Sequence, residues 1–345
     1  MSLLRSWRFW LGFAVSLLCL WFALRRVPLG ELARLLADTN PRWLLTAVIM
    51  QLLAVITRAR RWVVILGKKA RLADCFRALS IGYLFTNVFP LMLGEPARVI
   101  VMTERSQLPV MQVAASALVE RMLDVMTIVL ALLLTLPWMK VPALVSRAGV
   151  LFGGIALAAF TLSLLAVRFS SHSEWLVRWF CQRLPILPAE GVIARWRELV
   201  NGLSLLTRRD LVARVAGWSL VTWAFSIATF WCVLRSFRPD STVVEAAFML
   251  VALSLAITVP SSPGFVGVFQ LVGQQALVLP FGSKYDSASA LAITMTVHLV
   301  YYLLTTTLGV IGLWRLGESF ARLGRVVRGG HSASLATPRE VTSST

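Results

Sequence analysis

IGYLFTNVFPLMLGEPAR, Ile81 to Arg98, is apolar enough to enter a bilayer, yet Pro90, Gly94 and Pro96 interrupt it and it ends on charge. Proline removes a backbone donor and clashes with the preceding turn, so one continuous helix is excluded. AITVPSSPGFVGVFQLVGQQALVL, Ala256 to Leu279, repeats the pattern in the second half, with Pro260, Pro263, Gly264 and Gly267 as its breaks. Irregular backbone at membrane depth persists only where protein or a watery cavity satisfies its freed N–H and C=O groups. A pair of such breaks, one in each half, is the sequence pointer to a binding site in a transporter-like fold.

The surrounding composition fits that setting. The chain is 58% hydrophobic and 14% charged, with a mean hydropathy of +0.76, outside the range of soluble domains. Phe9–Leu24 follows Arg5 and Arg8, as a signal peptide would. Arg25, Arg26, Val27 and Pro28 come next instead of a small-residue cleavage site, so it reads as a retained span. The net charge of +18 is read as orientation and headgroup contact rather than nucleic-acid binding. Cys19, Cys75, Cys181 and Cys232 form no C-x-x-C pair, which indicates neither a disulfide framework nor a metal site.

The expected fold class is an all-α polytopic membrane protein. Six full transmembrane helices are expected at Phe9–Leu24, Trp43–Leu66, Met111–Trp138, Val150–Val167, Val212–Leu234 and Ser287–Trp314. Basic residues cluster after the second, fourth and sixth of these, which under the positive-inside rule makes those regions and both termini cytoplasmic. Each broken stretch then begins and ends on one side of the membrane, and the two lie on opposite sides. They read as two oppositely oriented re-entrant helical hairpins of an inverted repeat, with their tips meeting near the midplane. A pair of Pro-kinked full spans is the alternative. Residues 1–315 form one transmembrane domain. Within it, residues 168–210 read as interfacial amphipathic helices separated at Pro185 and Pro188, or else as a helical hairpin packed on the protein itself. Residues 316–345 read as a basic, mostly disordered cytoplasmic tail.

The third span carries Glu120, Arg121 and Asp124, each costing about 2.5–3.5 kcal/mol at a helix centre if uncompensated. Glu120 and Asp124 share a helical face, and Arg121 is placed to pair with Asp124. The triplet is expected to point inward, either as a structural salt bridge or, with Glu95 and Arg98 beyond the first hairpin tip, as part of a site. Arg58 and Arg61 lie in TRARRW (Thr57 to Trp62), which reads as interfacial anchoring or as a secondary site element. His298 reads as an interhelical hydrogen bond or a proton relay.

Four motifs recur together: R-x-x-R-W at Arg58–Trp62, N-x-x-P-x-x-x-G-E-x-x-R at Asn87–Arg98, E-R-x-x-D at Glu120–Asp124, and P-x-x-P-G-x-x-G at Pro260–Gly267. In this order and spacing the chain resembles the lysylphosphatidylglycerol synthase transmembrane-region family of flippase-like membrane proteins, over about residues 10–315. The resemblance implies a polytopic fold with re-entrant helices and a role in moving or processing a lipid or lipid-linked sugar. These residues hold no soluble aminoacyltransferase half, so lipid aminoacylation is not implied. Gln270 stands where the family usually has Glu, and Phe265 where it usually has a second Gly, which argues against a carboxylate from the second hairpin.

The expected function is translocation of an anionic lipid or polyprenyl-phosphate-linked lipid across a bacterial cytoplasmic membrane. Arg98 and Arg121 would hold the phosphate, Glu95, Glu120 and Asp124 would balance them when it is absent, and Asn87, Pro263, Gly264, Gly267 and Gln270 would line the hairpin tips. Walker, H-E-x-x-H and G-x-S-x-G motifs are missing, so no nucleotide motor, metal site or hydrolase motif is indicated, no cofactor is expected, and a non-enzymatic role is favoured over an enzymatic one. The partners expected are the lipid substrate and a second copy or cell-envelope biosynthetic proteins. Rival readings are a membrane-embedded polyprenyl-linked glycosyl transferase and a non-transporting assembly subunit.

Overall fold

The computed structural model describes residues 17–317 except 26, 90–92, 136–142, 184–188 and 258–261. Among the described residues there are thirteen α-helices and no strand. They are α1 (17–24), α2 (Leu29–Ala37), α3 (Pro41–Leu66), α4 (Leu72–Val88), α5 (Gly94–Ser106), α6 (Val110–Thr135), α7 (Ala143–Arg168), α8 (Ser170–Arg183), α9 (Ala189–Leu203), α10 (Arg209–Phe237), α11 (Val243–Ala256), α12 (Val268–Phe281) and α13 (Ser287–Leu316). Stretches 41–66, 209–237, 263–281 and 287–316 are long and apolar enough to cross a membrane. The protein is a multi-pass integral membrane protein. Half of the expected first span, Phe9–Leu24, lies outside the described residues, as do Pro90, Pro260 and the 316–345 tail beyond Gly317.

Both broken stretches fold as antiparallel helical hairpins. In the first, Cys75 of α4 meets Met102 of α5 at 4.0 Å between sulfurs. Nearer the tip, a Cβ on Gly94 would stand 2.2 Å from Gly82 O, so only glycine lets the two backbones come this close. Pro96 falls in the first turn of α5, where its missing N–H removes no intrahelical bond. In the second hairpin, Phe248 of α11 packs edge-to-face on Phe281 of α12, and Glu245 binds Lys284 and Tyr285 at the base. The 263–281 stretch qualifies as a span by composition, but Gly264 (φ 66°) and Gly267 (φ 91°) turn the chain at its start, and α12 pairs back on α11.

α13 is the common ruler. The base of the first hairpin lies at its C-terminal end, where Gly312 meets Arg77 and Ile81. The base of the second lies at its N-terminal end, beside Tyr285 and Ser287. The hairpins therefore enter from opposite ends. Their tips meet beside the middle of α13: Asn87 Nδ2 donates to Thr305 and Thr306, and Gly264 sits against Tyr302 and the Asn87 carbonyl.

Span, hairpin, span occurs twice: α3, α4–α5, α6, and then α10, α11–α12, α13. The neighbours correspond, since α4 packs on α13 and α11 on α6. α3 and α10 run antiparallel along their whole length, from Asn40 N–H to Ser236 O at 3.1 Å through Thr57 and Thr222 to Arg61 and Ser219. Opposed hairpins and an antiparallel central pair are what an inverted repeat requires. Of the two readings for 168–210, packing on the protein describes α9, whose Ile193, Val200 and Leu203 are buried, while Gly202 abuts Ala115 of α6. α8 differs: Trp175, Leu176 and Phe180 stay exposed along it, the face an interfacial helix presents.

Candidate functional site

On α6, Ser116, Glu120 and Asp124 recur every four residues and so form one stripe, and all three are buried. On α3, Arg58, Arg61 and Trp62 face that stripe. Arg61 is fully buried (0% exposed) and is the hub. Its Nη2 donates to Glu120 Oε1 at 2.6 Å, and its Nη1 donates to Asp124 Oδ1 at 2.7 Å and to Ser219 Oγ at 3.1 Å. α5 supplies Arg98, which donates from Nη1 to Glu120 Oε2 at 2.6 Å and from Nε to Glu95 Oε2 at 2.6 Å. The Arg98 guanidinium also lies 5.1 Å from the Trp62 ring, whose Nε1 donates to Ser116 Oγ. α10 adds Trp223, donating to Asp124 at 3.3 Å.

Two expectations change here. The TRARRW segment is no surface anchor, because Arg61 and Trp62 are both fully buried and hydrogen-bonded in the interior. Arg121 does not point inward with Glu120 and Asp124. One residue of helix rotation turns it off their stripe, so it is 51% exposed, lies 3.9 Å from Asp124, and takes Glu95 as its close partner.

Charge is the deciding property. The network holds four arginines (58, 61, 98, 121) against three carboxylates (95, 120, 124), a net charge of +1. Seven charges at about 3 kcal/mol each would cost on the order of 20 kcal/mol if left uncompensated in a bilayer. Instead every carboxylate touches at least two guanidiniums. The surplus shows at Arg58 and Arg98. Among the described residues Arg58 has only Asp124 as an ion-pair partner, at 3.8 Å, and Arg98 Nη2 is buried with no hydrogen-bond partner. Tyr83 and Tyr301, edge-to-face at 6.1 Å, stand near Arg58. Such a site can take one more anionic oxygen.

The remaining predicted residues form a separate, neutral group at the hairpin tips. Asn87 ties the first tip to α13, while Pro263, Gly264 and Gly267 shape the second. Gln270 accepts the Gly267 N–H at 2.7 Å and its amide nitrogen meets His298 Nδ1 at 2.8 Å, so both ends are engaged. His298 stacks on Phe269. These contacts close the turn and leave neither end of Gln270 free for a headgroup. Ser116, Ser219, Trp223 and Tyr83 escaped the sequence reading. Only Ser116, four residues before Glu120, carried a signal there.

The profile of the family described as lysylphosphatidylglycerol synthase TM region matches residues 9–309. The chain belongs to that family. It is similar to a UPF0104 membrane protein of Methanocaldococcus jannaschii, 22% identical over 324 residues that cover 87% of this chain and 92% of that protein. A second UPF0104 membrane protein, of Pyrococcus horikoshii, is 24% identical over 324 residues, covering 87% and 94%. No solved structure gives a significant match. The family match spans the whole charge network and both hairpins.

Proposed function

We propose that the protein translocates an anionic lipid, of phospholipid or polyprenyl-phosphate type, between the leaflets of a bacterial cytoplasmic membrane. The observation that carries this is the arginine surplus: among the described residues Arg98 Nη2 is buried without a hydrogen-bond partner, and Arg58 meets a carboxylate no closer than 3.8 Å, at Asp124. Glu95 is the displaceable carboxylate: it is 37% exposed and bridges Arg98 and Arg121. A lipid phosphate arriving there replaces Glu95 on the guanidiniums, and Glu95 returns when the lipid leaves. Glu120 and Asp124 stay on Arg61 throughout and keep the empty site near neutrality. The acyl chains remain in the bilayer, since only the headgroup needs a polar path.

Reconstitution in liposomes with headgroup-labelled lipids tests this. The wild-type protein should exchange an anionic lipid between leaflets faster than phosphatidylcholine, and Arg98→Gln should abolish the difference. Arg121→Gln, which removes a half-exposed partner, should slow exchange while protein abundance holds. Equal exchange of anionic lipid by wild type and both variants would leave the cluster as a structural salt-bridge network.

A further inference from the structure

A cavity of about 660 Å³ opens between the C-terminal end of α3, the start of α6, the end of α9 and the start of α10. Val63, Val64, Ile65, Leu66 and Leu211 give it apolar walls, and Gln112, Ser116 and Asn201 place polar groups among them. Arg208 and Arg214 stand on its lining from the α10 side. Both reach the same carboxylate, Asp210, at 3.3 and 3.2 Å, so two guanidiniums share one negative charge. Arg208, the residue preceding α10, places no side-chain acceptor on that helix's first N–H groups. The volume lies in the range of small-molecule sites.

The cavity's depth and neighbours decide its occupant. Its inner wall includes Ser116, which accepts the Trp62 indole N–H, and Trp62 faces Arg98. Hence its floor is the back of the charge network. Its outer edge adjoins α9, to which α8 is clasped through Glu174–Arg197 and Ser173–Trp196. α8 exposes Trp175 and Phe180, the apolar aromatic face that an interfacial helix lays at the headgroup–acyl boundary. An apolar trough with a basic rim at that level has the chemistry of an amphiphile with a negative head.

We infer that this cavity is a loading site for an anionic membrane lipid drawn from the adjacent leaflet, with Arg208 and Arg214 on its phosphate and the α3 and α10 walls on its chain. The inference rests on the translocation reading for its place in a transport path, but lipid occupancy is measured without transport. A benzophenone side chain introduced at Ser204, on the cavity lining, is irradiated in liposomes containing fluorescent phosphatidylglycerol or phosphatidylcholine. A second is placed at Leu220, on the exposed side of α10. Capture at Ser204 should favour phosphatidylglycerol at least about five-fold, while Leu220 captures both alike. Arg208→Gln with Arg214→Gln should erase the preference, and Asn201→Trp, which fills the cavity with the rim charges intact, should lower capture of both lipids. Arg98→Gln should leave the preference unchanged, which separates failure at the loading site from failure of the central reading. Capture without preference, a preference that survives loss of both arginines, or competition by inorganic phosphate as effective as by lipid overturns the inference.

Discussion

Replacing Arg61 by glutamine is the sharpest perturbation of the charge network. The side chain is fully buried and holds Glu120 at 2.6 Å and Asp124 at 2.7 Å. Two charge-assisted bonds at about 1.5–3 kcal/mol each sum to about 3–6 kcal/mol. Breaking a buried ion pair by removing one partner costs about 3–5 kcal/mol. The two routes agree, and the glutamine amide keeps one weaker bond, so Arg61→Gln should lose about 3–4 kcal/mol. Arg61→Lys retains the charge but lacks the planar fork that reaches two carboxylates, and should fall between it and wild type. Glu120→Gln also destabilises, since it strips a partner from both Arg61 and Arg98. The double variant Arg61→Gln/Glu120→Gln restores the network's net charge and should recover at least about 1.5 kcal/mol of the summed losses. Thermal unfolding in detergent, followed with a thiol-reactive dye that reads exposure of buried Cys75, Cys181 and Cys232, ranks the variants. Strict additivity, or wild-type stability for Arg61→Gln, would refute the argument.

Three further outcomes are expected. Gly94→Ala forces a methyl to within 2.2 Å of Gly82 O and should separate α4 from α5 with a large drop in unfolding temperature, whereas Gly154→Ala, with nothing within 4 Å, should be neutral or slightly stabilising. Gln270→Leu removes the bonds to Gly267 and His298 and should cost about 1–3 kcal/mol without changing which lipid is exchanged, as measured by unfolding and liposome assays together. The hydrogen bonds from Arg197 hold the Glu174 carboxyl below the usual range, so the α8–α9 clasp is fully present above the unfolded pKa of about 4.3 and is lost as pH falls through the lower folded value. Hydrogen exchange in α8, corrected for the intrinsic effect of pH on amide exchange, should lose protection as pH falls below about 4.3, and Glu174→Gln should remove that dependence.

The backbone plan was legible because punctuation and hydrophobicity are local. Pro and Gly marked both hairpins, and the charge triplet marked α6 as a helix with a polar stripe. Partner choice was not legible, because it depends on how helices distant in sequence rotate against each other. Arg121 is three residues from Asp124 and looked like its partner, yet Glu95, 26 residues away, takes it. Arg61 sits in a segment whose Arg–Trp composition matches an interfacial anchor, and only the antiparallel packing of α3 on α10 sinks it into the interior. The departure at Gln270 was visible as a residue, but its commitment to His298 requires α12 and α13 to be placed side by side.

The repeat is symmetric in its helices and asymmetric in its chemistry, which bears on how such a protein would move. Ten residues into α6 comes Glu120, and ten residues into α13 comes Val297, followed by His298 where α6 has Arg121. The charges thus belong to the first half, and among the described residues the second half meets them through neutral groups: Ser219 on Arg61 at 3.1 Å, Trp223 on Asp124 at 3.3 Å, and Tyr301 near Arg58. A hydrogen bond with one charged partner contributes about 1.5–3 kcal/mol, against about 3–5 kcal/mol for breaking a buried ion pair. A rocking of one half against the other would therefore break the α3–α10 seam and carry the charge network along intact. Thr57 and Thr222 face each other across that seam with hydroxyls 3.2 Å apart. Thr57→Cys/Thr222→Cys in a background lacking the native cysteines places two thiols within reach of a disulfide. Oxidation with copper phenanthroline should lock the seam and stop exchange of anionic lipid in liposomes, and dithiothreitol should restore it. Wild-type exchange by fully cross-linked protein would mean that α3 and α10 need not part, and the path would then lie within the first half alone.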